Sequence, residues 1–396
     1  MRRTAILIAA VACAGAACTE HLTTPGDCPA FCPGGQAIFR DTVLSPMLNG
    51  DTSFTGYVEA SNLISVLASS GGNYGQNRAV IHFSPVGDSI LIADTNRAYT
   101  LDSMALQLSI QARDTTVGNF VIEIYRLPRT IDSTAGFDAI DALMTPANLL
   151  AEVPDPTGFT GTFHVTFGGD SLARLAFAPA DSGILEIGLR VRADGPTAAR
   201  IGTPASGSLA PVLYSYVTAL GVPDSLKTSS KTTISDLYFT VAPPESSPPP
   251  SLLAVGGIPV SRSFIRFALP EYLRDSATII RATLQLHGDQ PMIGIPADTA
   301  QLVANTLLAD FGAKSPVIAG LGTTAVLLPG TQDVSLDVAS LVQAWQGATP
   351  TPSIIRLSLA QEGGTFLFPL FASTRSPTGA PTLRITYRPP FGFEGY

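Results

Sequence analysis

Alternation of period two, occurring twice along the chain in the same order, limits this sequence to strands more firmly than any other feature. Arg262–Pro270 reads as one strand: Phe264, Arg266 and Ala268 point one way, and Ser263, Ile265, Phe267 and Leu269 the other. Pro270 ends it, because proline has no N–H for the ladder. Ile279–Leu286 alternates too, with Ile280, Ala282, Leu284 and Leu286 on a face opposite Arg281, Thr283 and Gln285. Between them, Glu271–Thr278 carries the charges. Ala79–Ser84 echoes the first strand and Leu101–Leu108 the second, which predicts two copies of one β domain.

Further strands follow in both copies. Copy one continues through Phe120–Arg126, Thr162–Phe167, Leu172–Phe177 and Ile184–Val191, and copy two through Gln301–Asn305, Thr324–Leu328, Gln332–Leu336 and Ser353–Leu359. Hydrophobic residues make up 45% and charged residues 14%, enough apolar surface to fill cores, while 36 Gly and 32 Pro supply frequent turns. The expected fold is all-β: two tandem jelly-roll-like antiparallel β-sandwich domains, 38–220 and 221–396, with one short helix in the second. The boundary rests on register. Asp41–Leu44 is matched by Asp224–Lys227, Ser53–Val58 by Ser235–Val241, and Ala210–Tyr216 by Ala380–Tyr387. Pro243–Pro250 resembles a linker, but that register makes it a loop inside copy two, so a split at Pro243 is the second choice. The helix is read from Val338, Leu341, Val342 and Trp345 at i, i+3, i+4 and i+7, with Asp337 as N-cap and Gly347 as stop. Trp345, the one tryptophan, is expected in the core.

The amino terminus is read apart from the fold. Arg2 and Arg3 precede the apolar run Thr4–Ala12, and Gly15-Ala-Ala-Cys18 follows. Residues 1–18 resemble a bacterial lipoprotein signal, which implies lipidation of Cys18; Cys13 is the runner-up and plain secretion the alternative. The apolar run is far shorter than the roughly 20 residues that span a bilayer. Residues 19–37 read as a tether. Within them Cys28 and Cys32 are disulfide candidates, since an exported chain favours an oxidised pair. The implied location is the outer membrane or cell surface, held by lipid.

Copy two is similar to the DNRLRE-type domains of bacterial surface proteins, which are related to some carbohydrate-binding modules. The resemblance rests on Arg262–Pro270, Ile279–Leu286, Val334–Val338 running to Trp345, and Phe371-Ala-Ser-Thr-Arg375 before Pro381–Tyr387. It covers most of residues 222–388. Copy one has Ala198-Ala-Arg-Ile201 in place of the Phe-Ala-Ser-Thr-Arg segment and lacks the tryptophan, so it joins by repetition alone. The family implies a jelly roll in secreted or surface-bound chains and no single activity.

No catalytic constellation stands out. Gly169-Asp-Ser-Leu172 spells an esterase motif, but Leu284 stands where that family has an aspartate before its histidine, His287, and a turn between strands is the expected reading. His21, His82, His164 and His287 have no neighbour at metal-binding spacing. His82 and its counterpart Arg266 are placed on the polar sheet face. Gly71-Gly-Asn-Tyr-Gly75 lacks the lysine of a phosphate loop. No cofactor is expected; a structural calcium would use loop carboxylates and carbonyls, with no ligand set nameable. The net charge of −8, without a basic run, argues against nucleic acid as a partner. The expected function is a non-enzymatic surface lipoprotein with a structural, adhesive or binding role, its partners being the membrane through the anchor and polysaccharide or surface proteins. A polysaccharide-binding module, with Tyr74 or Phe391 in its site, and a carbohydrate-active enzyme are the alternatives.

Overall fold

The alternating runs form strands, and the register between them decides which chain segments share a sheet. The computed structural model describes residues 39–56, 65–69, 75–154, 160–175, 183–221, 226–242, 248–292, 294–295, 298–346 and 351–390. In chain order the elements are β1 (Arg40–Leu44), β2 (Pro46–Gly56), β3 (Ser65–Ser69), β4 (Asn77–Phe83), β5 (Ser89–Ile92), β6 (Thr95–Arg113), β7 (Val121–Leu127), α1 (Phe137–Asp141), β8 (Leu149–Pro154), β9 (Gly161–Phe167), α2 (Asp170–Leu175), β10 (Leu185–Arg192), β11 (Ala198–Gly202) and β12 (Val212–Ala219). Then come β13 (Lys227–Val241), β14 (Leu252–Ala254), β15 (Val260–Phe267), α3 (Glu271–Asp275), β16 (Thr278–Leu286), β17 (Ala300–Leu307), β18 (Val317–Leu327), β19 (Val334–Asp337), α4 (Ala339–Ala344), β20 (Ile354–Leu359), β21 (Leu370–Ala372) and β22 (Thr382–Arg388). The fold is all-β, with antiparallel pairing throughout and only short helices.

Two sandwiches are built on one plan. In the second, a five-stranded sheet β18-β17-β20-β15-β2 faces a four-stranded sheet β1-β22-β16-β19. Ile265, Leu302 and Leu357 of the former meet Leu284, Leu383 and Ile385 of the latter in one core. In the first, β8-β7-β10-β4-β13 takes the place of the five-stranded sheet, and β13-β12-β6, with β9 also on β6, the place of the four-stranded one. Their core joins Ile81, Ile124 and Leu189 to Leu106, Leu213 and Phe167. β4 and β15, the two strands singled out by alternation, hold the same position in the two plans.

The pairing departs from the expected division at residue 220. β1 pairs β22 and β2 pairs β15, so the first strands of copy one complete the second sandwich. Reciprocally, the first half of β13 pairs β12 and its second half pairs β4, so the first strand of copy two completes the first sandwich. The corner between layers is a register shift in both cases, at Ile234/Asp236 in one and at Ile265/Phe267 opposite β2 in the other. Irregularities of this kind let one strand pass from sheet to sheet. The sequence repeat leaves this exchange unseen, because either partner offers the same apolar edge.

Local differences have local causes. Ile280 is exposed and Ile279 buried, because a bulge between Ile279 and Arg281 shifts the alternation; Ala282, Leu284 and Leu286 face the core as expected. Glu271–Asp275 is helical, not merely a charged link, so the second sandwich has two short helices, α3 and α4. Of the expected strand Leu172–Phe177, residues 172–175 are helical instead: Gly169 at φ +54° turns the chain into α2, which buries Leu175, and residues 176–177 lie outside the described residues. α4 begins at Ala339 with Val338, not Asp337, at the N-cap; the Asp337 carboxylate, one residue before it, accepts from the Ala339 N–H at 3.0 Å; Gly347 lies outside the described residues.

Candidate functional site

The outer face of the first sandwich gathers ionisable groups from neighbouring strands. Register sets them in rows: Leu127, Glu186, His82 and Asp236 in one, Tyr125, Gly188, Val80 and Tyr238 in the next. α1 and its flanks close over this face, packing Ile140 and Met144 on Val80, Tyr125 and Leu127. Gly188 permits the approach, since a Cβ there would lie 2.7 Å from the Met144 methyl.

Under this cover Glu123 accepts hydrogen bonds from Arg190, from Arg192 at 2.8 Å and from the Tyr125 hydroxyl at 2.9 Å. Burial opposes ionisation of Glu123, but these donors outweigh it and hold the carboxyl below its ordinary value. The Tyr125 hydroxyl is pushed up to about 12 by burial and by Glu123. Glu186 is the opposite case. Its side chain is 1% exposed, it bonds His82 Nδ1 through Oε1, and Oε2 has no partner among the described residues. Burial pushes its carboxyl up, against the pull of His82. Arg78 donates to Asp141 of α1 at 2.7 Å and lies over the Phe137 ring at 4.8 Å. Beside α1 a cleft of about 630 Å³ is lined by residues 133–139 and 239–241. That falls within the range of ordinary ligand sites.

A second arrangement seats the exchanged strand. Asp51 of β2 is buried, and its carboxylate accepts from the Thr374 N–H at 2.6 Å and the Thr374 hydroxyl at 2.7 Å. Arg375 Nη2 donates to the Asp51 carbonyl at 3.0 Å. Ser53 lies opposite Ser263, hydroxyl to hydroxyl at 2.9 Å, and accepts from the Ala254 N–H at 3.1 Å. Between the sandwiches, the buried Asp298 lies 3.5 Å from Arg200 and accepts from the Thr365 hydroxyl at 2.9 Å, beside an apolar contact of Ala198, Ile295 and Phe366.

The residues named from sequence are scattered. Cys18, Cys28, Cys32, His21, Tyr74 and Phe391 lie outside the described residues. His82 is on the polar face as expected, with the buried Glu186 as an unforeseen partner, and Arg266 pairs with Asp310 at 2.8 Å. His164 stands 5.7 Å from the Tyr214 ring, and His287 3.3 Å from Asp333. The Ser171 hydroxyl donates to the Leu150 carbonyl at 2.7 Å from the first turn of α2. Among the described residues no group of three or more His, Cys, Asp or Glu is placed for a metal ion. Sequence reading missed Asp51, Glu123 and Glu186. The one signal was a lone acid in an apolar strand at Glu123 and at Glu186; Asp51 had none.

The site therefore belongs to an all-β tandem sandwich whose ionisable groups sit on a sheet face beneath a short helical cover. No family model matches the chain, and no curated protein matches it. Among solved structures, one titled BspA_C_mut shares 10% identity over 73% of this chain and 76% of its own, with a TM-score of 0.12. The C-terminal domain of the Streptococcus pyogenes antigen I/II-family protein AspA shares 8% over 87% and 92%, with a TM-score of 0.16. At such scores neither likeness bears on the fold or the function. No helix among the described residues is long and apolar enough to cross a membrane.

Proposed function

We propose that this chain is an extracytoplasmic lipoprotein, anchored through Cys18 at the outer membrane or cell surface, with a structural, adhesive or binding role and no catalysis. The observation that carries the reading is the reciprocal exchange of β1–β2 and β13, with the Arg200–Asp298 seam beside it, which ties two sandwiches into a continuous scaffold immediately after the tether. The DNRLRE-type reading belongs to the same proposal. Its Phe371–Arg375 segment has a definite task here, since Thr374 and Arg375 hold Asp51. Stable anchoring needs more than one acyl chain, which lipoprotein processing supplies. In cell fractionation, Cys18→Ser should move the protein out of the membrane fraction, and mass spectrometry of the native protein should find a diacylglyceryl group on Cys18. A free amino terminus at Thr19 would overturn the anchor; turnover of labelled polysaccharide would overturn the non-catalytic role.

The cleft beside α1 is the ground for a second reading, glycan binding, because Phe137 and Phe239 are among its lining residues together with Thr134 and Asp138. On a glycan array, a wild-type signal lost in Phe137→Ala with unchanged melting supports this reading; no signal from the wild-type protein removes it.

A further inference from the structure

The exchange of strands follows a rule that does not stop at one chain. The first sandwich is completed by the strand that opens the next copy in sequence, β13. The second sandwich is completed by the strands that open the first copy, β1–β2. The two-copy exchange is reciprocal and so closed, but each single contact joins unlike surfaces, a donor strand on an acceptor sandwich. Heterologous contacts close into a ring or run on as an open chain, depending only on which copy supplies the last donor. In this structure the ring closes within one molecule.

The donor is separable. Every described side-chain hydrogen bond of β1–β2 goes to the second sandwich: Asp41 to Arg384 and Thr386, Asp51 to Thr374 and Arg375, Ser53 to Ser263, Thr55 to Ser261. The donor also lies at the edge of both sheets it joins, so its departure opens one ladder on each and leaves the remaining strand order intact. The seat it leaves is specific. A second donor must place a carboxylate against the Thr374 N–H and hydroxyl, and small hydroxyl side chains against Ser263 and Ser261.

We propose that a second copy of this chain supplies β1–β2 in trans, so that the protein assembles head to tail by strand donation. The closed and open forms make the same contacts, so concentration selects between them. A covalent connection competes with an effective concentration on the order of millimolar, and molecules crowded on a surface approach that regime. The inference goes beyond the scaffold role and does not depend on the lipid.

The test uses two full-length chains with different tags, Ser53→Cys in one and Ser263→Cys in the other, unfolded, refolded together at high concentration and oxidised. The expected product is a disulfide-joined heterodimer whose digest links the peptides holding positions 53 and 263. Its yield should fall by about tenfold when the chains are refolded at tenfold lower concentration, since the closed monomer makes the same contacts and only the joined form depends on concentration. No linked pair, or a yield indifferent to protein concentration, overturns the proposal. Should the cysteine variants fail to fold, light scattering of the wild-type chain refolded at rising concentration decides. A species of dimer mass or above that persists on dilution supports strand donation, and a monomer at every concentration overturns it.

Discussion

Trp345 fills the space where α4 meets the core of the second sandwich, with its indole N–H donating to the Thr306 hydroxyl at 2.7 Å. Trp345→Ala therefore removes a fully buried ring and one buried hydrogen bond, and should cost about 3–5 kcal/mol in a denaturant titration. A surface residue would leave the midpoint unchanged. Asp51→Ala should cost about 2–3 kcal/mol by the same measurement, because it leaves the Thr374 N–H and hydroxyl without their acceptor. The two residues differ in how far the sequence announces them. Trp345 belongs to a helical stripe that spans a few positions, so its burial is readable. Asp51 has its partner 323 positions away, and nothing within its own strand distinguishes it from a solvated aspartate.

At the scale of the strand, the covered face of the first sandwich holds two carboxylates with opposed pH behaviour. Burial raises Glu186 from the ordinary 4.5, so its contribution to stability is present below that value and is lost as pH rises through the folded value. Glu186→Gln should gain stability relative to wild type as pH is raised from about 4 to about 8 in thermal melts. Glu123 is held low by its arginine and tyrosine donors despite burial, so its contribution is present above 4.5 and is lost on acidification. Glu123→Gln should therefore melt lower than wild type at neutral pH, with the gap closing in acid. Strand positions were largely legible because alternation is a local property. The shift at Ile280 was not, since a bulge changes which face a residue takes without changing the apolar composition around it. α2 was misread because Leu172 and Leu175 satisfy a short helix as well as a strand end.

At the scale of the molecule, the exchange makes the residue-220 boundary a poor place to cut. A fragment of residues 65–242 keeps β13 and should fold, with cooperative melting by circular dichroism, whereas 39–220 lacks it and should not. The repeat itself was legible, but its cross-assignment was not: both sandwiches offer a β-edge of the same kind, and only long-range pairing chooses between them. The antiparallel pairing of β1 with β22 has one more consequence. Arg40 faces Tyr387 and Leu44 faces Leu383, so the chain enters and leaves at the same end of a single ladder. Tension applied between the two ends would break that ladder one pair at a time, as a zip opens, instead of shearing all its bonds together. The first sandwich, threaded in between, would bear no load until β1 and β2 had peeled away. In single-molecule pulling from the two ends, a low-force release of these strands should precede any step from the first sandwich.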